Sequence, residues 1–92
     1  MGFGDECAMK FKENIDDSGS FFSRCNRIFD KLPLAALVDD DIFCVHGGVG
    51  ATLKNINELS EIHRPLKVNH DPKNKTEKIV YELLWTDPCR GN

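Results

Sequence analysis

Few side chains in this 92-residue chain are suited to chemistry: three histidines, four cysteines and the carboxylates of Asp39, Asp40 and Asp41. His46 stands apart from the rest. It closes the apolar run Ile42-Phe43-Cys44-Val45 and is followed at once by Gly47 and Gly48. A neutral imidazole at the carboxyl end of a strand is held on a rigid support and points from the sheet rim, where α/β proteins commonly place their ligands. Adjacent glycines let a second metal ligand or a phosphate oxygen come near the backbone. His46 is therefore a candidate metal ligand, and on these residues alone a packed or solvated imidazole, the state of most histidines, stays open beside it. His63 and His70 lie in polar stretches and read as solvated side chains.

Gly47, Gly48 and Gly50 also invite a phosphate-cradling loop. A dinucleotide fingerprint needs glycine where Leu53 stands, and a P-loop needs Gly-Lys followed by Ser or Thr. Neither pattern fits, so a nucleotide-binding loop over residues 47–50 is set aside, and the glycines read as a turn with positive φ. The Asp39–Asp41 triplet could hold a cation, but consecutive side chains at a turn diverge, and a solvated turn is the expectation. The cysteines form no C-x-x-C pair and match no zinc-binding spacing. Three of them sit in apolar patterns, Cys25 beside Phe22 and Ile28 for example, so buried reduced thiols are expected.

The elements that position these groups follow from periodicity. Phe3, Cys7 and Phe11 recur every fourth residue, one face of a short helix. The loop from Glu13 to Ser20 breaks the pattern, and Ser20 reads as an N-cap. Phe21, Phe22, Cys25, Ile28, Phe29 and Leu32 then mark a helix stopped by Pro33, its face of Phe22, Cys25 and Phe29 expected to pack on strands. Leu34–Val38 and Ile42–Val45 read as strands joined by the acidic turn, each expected to be buried on both faces because neither alternates. Ile56, Leu59 and Ile62 suggest one or two helical turns before Arg64-Pro65. Thr76 opens a last helix with Ile79, Val80, Leu83 and Leu84 on one face, running into Trp85. Two strands are too few for an independent sheet unless covered, so the chain reads as an interior slice of a larger domain.

Composition narrows the function classes. Hydrophobic residues make up 40 % of the chain, charged ones 29 %, and the formal net charge is −3. Lys and Arg form no stripe, which argues against nucleic acid as partner. The longest apolar run, Leu34–Val38, is too short to cross a bilayer, and the start does not read as a signal peptide. A soluble protein of the cytoplasm or nucleus, with no membrane partner, is expected.

In order, the chain carries GFGDEC (2–7), FDKLPLAALV (29–38), IFCVHGG (42–48), RP (64–65) and LLWTDP (83–88). This series closely resembles the central part of the catalytic domain of the phosphoprotein phosphatase family, the metal-dependent serine/threonine phosphatases. The resemblance runs over nearly the whole chain, from Gly2 to Cys89. Glycine stands at position 4 where the family usually has tyrosine, and Thr86 replaces its usual serine. The Val49-Gly50-Ala51 that follows the glycine pair, together with LPLAALV, looks most like the kelch-repeat-linked branch.

The resemblance implies an α/β (α+β) fold: residues 1–92 as a fragment, incomplete at both ends, of the calcineurin-like metallophosphoesterase β-sandwich flanked by helices. It implies that His46 ligates one of two divalent ions (Mn, Fe or Zn) that activate a water for attack on phosphoserine or phosphothreonine. Trp85 then lies near the active-site loops, and Asp87 supports the catalytic pocket from behind the metal ligands. The implied partners are phosphoprotein substrates, with regulatory subunits or a kelch-repeat domain in cis. The family's other metal-ligand motifs are not in this sequence, so the chain alone is expected to be inactive. A competing reading is a non-catalytic interaction module, a truncated phosphatase piece that pairs through its sheet edges.

Overall fold

The computed structural model describes residues 2–90. In chain order it forms α1 (Phe3–Phe11), α2 (Phe21–Phe29), β1 (Ala35–Val38), β2 (Ile42–Val45), a 3-10 helix (Ile56–Glu61) and α3 (Lys75–Trp85). The mixed α/β class and the order of elements are those expected. Two compact units divide the chain between Leu32 and Pro33. No helix among the described residues is long and apolar enough to cross a membrane.

The first unit is a pair of helices joined by a loop that its own side chains hold. Phe3 of α1 meets Phe22 and Phe29 of α2 at ring-centroid distances of 5.7 and 5.8 Å, and Phe11 meets Phe21 at 4.5 Å. Cys7 of α1 is buried, 2 % exposed. That burial raises its thiol pKa, keeping it protonated. The Ser20 hydroxyl accepts the Ser23 N–H at 3.0 Å, as an N-cap should. Glu13 adds a carboxylate at the same helix start, accepting the N–H groups of Phe21 and Phe22 at 2.8 and 3.0 Å. Donors that the helix leaves free are thus satisfied by a group whose charge suits a helix N-terminus.

One expectation for α2 is corrected. The helix ends at Phe29, and Lys31 and Leu32 donate instead to Ile28 and Phe29, tightening the last turn. Pro33 causes this, since the residue before a proline is pushed out of the helical region. Within this unit Phe22 and Phe29 of the apolar face meet Phe3 of α1, and no residue of α2 is fully buried. One short helix covers one stripe of its partner and leaves the flanks open.

In the second unit β1 and β2 pair antiparallel, Ala35 opposite Val45 and Val38 opposite Ile42. Asp39 and Asp40 carry left-handed φ angles of 52° and 56°, and the Asp41 N–H closes the turn on the Val38 carbonyl at 3.0 Å. Two consecutive left-handed residues match the twist of a tight hairpin, and aspartate tolerates that conformation better than most residues. All three aspartates are exposed, as a solvated turn requires. The strands are not buried on both faces: Leu37, Val38 and Ile42 are exposed. An apolar run is buried only where another layer covers it, and the sheet among the described residues has two strands. The same reason corrects the cysteines, all four free: Cys7 is buried, Cys25 half-buried, and Cys44 and Cys89 exposed.

The core of this unit lies on α3, where Ile79, Val80 and Leu83 are buried. Asn74, not a residue nearer Thr76, caps the helix by accepting the Glu77 N–H at 2.9 Å, and Glu77 reaches back to the Lys73 N–H at 2.7 Å. This reciprocal exchange is a variant of the capping box, shifted by one residue. Asn55 caps the 3-10 helix in the same manner, accepting the Asn57 N–H at 2.9 Å. Glu58 joins the two elements through the Lys75 ammonium at 2.7 Å.

Candidate functional site

β2 ends at Val45, and His46 follows at its carboxyl end in a bend, exposed. The next residues run against the C-terminal end of α3. The Gly47 N–H donates to the Leu83 carbonyl at 2.8 Å, and the Gly48 N–H to the same oxygen at 3.4 Å. Leu83 is among the last four residues of α3, whose carbonyls have no partner within the helix. The glycine pair supplies that partner.

The approach leaves no room for side chains. A Cβ on Gly47 would lie 2.6 Å from the Leu84 carbonyl carbon and 2.8 Å from the Trp85 nitrogen. One on Gly48 would fall onto the Thr86 carbonyl oxygen. No glycine among the described residues has positive φ. One expected reason for the glycines is therefore corrected: they do not serve a left-handed turn. They admit the backbone of residues 84–86, so HGG and LLWTDP form one interlocked contact.

That contact places His46, Trp85 and Asp87 on the wall of one cleft of about 380 Å³, completed by Val68, His70 and Leu84. Trp85 is 55 % exposed and faces this opening; it is not a core residue. Asp87 lies just beyond the helix, which stops at Trp85 ahead of Pro88. The cleft thus combines apolar walls with two imidazoles and one carboxylate.

His70 is exposed, as expected, but it also lines the cleft, which sequence reasoning missed. Its ring stands edge-on to Trp85 at 5.5 Å and to Tyr81 at 6.2 Å, while Tyr81 and Trp85 stack at 6.4 Å. Tyr81 and Trp85 are one helical turn apart, which presents both rings on the same side of α3. The polar loop around His70 hides this arrangement, because no local pattern says that a loop residue folds back on a helix. His63 is exposed and does not line the cleft.

Among the described residues no three His, Cys, Asp or Glu side chains come together in a way that could hold a metal ion. The donors on the cleft wall do not make a closed metal centre by themselves. His46, exposed at the carboxyl end of β2, contributes one imidazole to that wall.

The family model of the calcineurin-like phosphoesterases matches residues 3–91 of the chain. No solved structure matches it.

Proposed function

The chain belongs to the calcineurin-like phosphoesterase family, and from that premise we propose that it is the central part of a serine/threonine protein phosphatase catalytic domain. Membership itself implies hydrolysis of phosphoesters, in a family that typically uses divalent metals. The finer reading is supported by the ordered motifs from GFGDEC to LLWTDP. One observation carries it: the strand-end His46 and the helix-end Trp85 and Asp87 line a single cleft.

In this reading His46 supplies one metal ligand, and the remaining ligands come from parts of the domain outside this chain. Asp87 supports the pocket without holding an ion, and Trp85 and Val68 form an apolar wall for the substrate chain. His46 would hold one of two divalent ions (Mn, Fe or Zn), whose chemistry there would be to lower the pKa of a bound water and to neutralise charge on the phosphoryl oxygens. The substrates are phosphoserine and phosphothreonine proteins of the cytoplasm or nucleus. The Val49-Gly50 sequence and LPLAALV favour the branch that carries a kelch-repeat domain in cis, with regulatory subunits as further partners.

The test is phosphate release from phosphoserine and phosphothreonine peptides by the catalytic domain that contains this chain, with metal content measured per molecule. His46→Ala is expected to lower turnover by at least the roughly 10–100-fold typical when a supporting residue of a metal site is lost. It should also reduce bound metal. The isolated 92-residue chain should release no phosphate above background. Unchanged turnover and full metal occupancy in His46→Ala would remove this histidine from the centre. Hydrolysis of small phosphodiesters, with phosphopeptides untouched, would keep the family and discard the protein-phosphatase reading.

A further inference from the structure

We infer that Glu82 is a positioning residue for His46. Its carboxylate accepts the Thr52 N–H at 3.0 Å and the Thr52 hydroxyl at 2.8 Å, across thirty positions of sequence. Both carboxylate oxygens are used, so one side chain of α3 fixes the far end of the glycine loop. The near end is fixed one residue along the helix, where the Leu83 carbonyl receives Gly47. Between them Gly50 lies against the Glu82 side chain: a Cβ there would fall onto the carboxylate and 2.6 Å from the Glu82 Cβ. Residues 47–52 are thereby pinned to α3 at two successive residues, and His46 is the residue that enters the pinned loop.

The inference has a physical consequence for the cleft. Trp85 and Asp87 reach it from the end of α3, whereas His46 reaches it from β2. Their separation is set by whatever ties the loop to the helix. Thr52 binds an ionised acceptor, and a hydrogen bond to a charged group is stronger than one between neutral groups. Releasing it frees the loop to pivot about Gly47 and changes where the imidazole stands relative to Trp85.

The importance of this tie for catalysis rests on reading His46 as a ligand, but the experiment does not. Thr52→Val and Glu82→Gln are made in the 92-residue chain and followed by NMR. Amide hydrogen exchange is read at Gly47, Gly48, Ile79 and Val80, and chemical shift at the His46 ring protons. Thr52→Val should speed exchange at Gly47 and Gly48 by roughly tenfold or more, the equivalent of one charge-assisted hydrogen bond. It should move the His46 ring signals while Ile79 and Val80 keep their protection. Glu82→Gln retains an oxygen that can accept from Thr52, so its effect should be in the same direction and smaller. Unmoved His46 signals with unchanged Gly47 exchange would overturn the inference. Equal loss of protection at Ile79, Val80 and Gly47 would also overturn it, since Thr52 and Glu82 would then serve stability in general. Absence of phosphatase activity in the intact domain would cancel the proposed function and leave this result standing.

Discussion

Helices α2 and α3 begin alike and end differently. Ser20 and Asn74 each accept the N–H three residues on, and each helix carries apolar residues at helical spacing. Yet Phe29 in α2 is 49 % exposed and Leu83 in α3 is 1 % exposed. Periodicity states which face of a helix is apolar; it does not state whether the chain returns to cover that face. For α3 the chain returns, bringing the glycine loop to its end and the 3-10 helix to its start through Glu58 and Lys75. For α2 the cover is Phe3 of α1.

The largest expected difference tests this contrast directly. Leu83→Ala empties a fully buried position and should cost about 2–5 kcal/mol, from lost transfer energy and the cavity left behind. Phe29→Ala removes a larger side chain from a half-open position and should cost only about 1.5–2.5 kcal/mol, roughly half of a buried phenylalanine's worth. Amide exchange within each helix reads the two losses separately. Equal losses would break the comparison, because exposure would then have ceased to govern the cost.

A smaller effect sharpens it at the helix starts. Ser20→Ala removes the cap acceptor for Ser23 and should destabilise α2 by about 0.5–2 kcal/mol. The two Glu13 bonds to Phe21 and Phe22 remain, so the lower end of that range is expected. A loss matching that of Leu83→Ala would mean that the first unit depends on its caps more than on its aromatic contacts.

The smallest effect is electrostatic. The Lys75 ammonium beside Glu58, with a further hydrogen bond from the Lys54 N–H, holds the Glu58 carboxyl below the usual carboxylate range. A depressed carboxyl pKa stabilises the fold above its ordinary titration range, near pH 4 or somewhat higher, and that contribution is lost as the pH falls through the lowered value. Lys75→Met should move the Glu58 titration midpoint upward, read from its side-chain carboxyl carbon by NMR, and leave stability at neutral pH little changed. A midpoint unmoved by Lys75→Met would show that the pair is open in solution.

Local chemistry made part of the fold legible in advance. The fourfold spacing of Phe3, Cys7 and Phe11 located α1, Ser20 announced α2, and the break at His46 marked the end of β2. Each depends on neighbours within one or two turns. The Asn74 cap was misplaced by proximity to Thr76, since both residue types can start a helix and only the Glu77 exchange decides between them. The meeting of His46 with Trp85 and Asp87 in one cleft is not legible from periodicity, which places each residue only on its own element. The contacts of His70 with α3, and of Glu82 with Thr52, were not legible, because a loop's return path is set by packing at a distance.

The interlock of Gly47 and Gly48 with α3 divides mutational freedom unequally between the two sides. On the loop side any side chain would collide, so those two positions admit glycine alone. On the helix side the atoms in contact are the carbonyl and nitrogen of the main chain, which every residue type shares. A pairing of this kind ties one partner to a single amino acid and leaves the other free to drift. The threonine at position 86, where the resembling phosphatases carry serine, fits that freedom: a Cβ on Gly48 would strike its carbonyl oxygen, whereas its own Cβ would be 3.9 Å away.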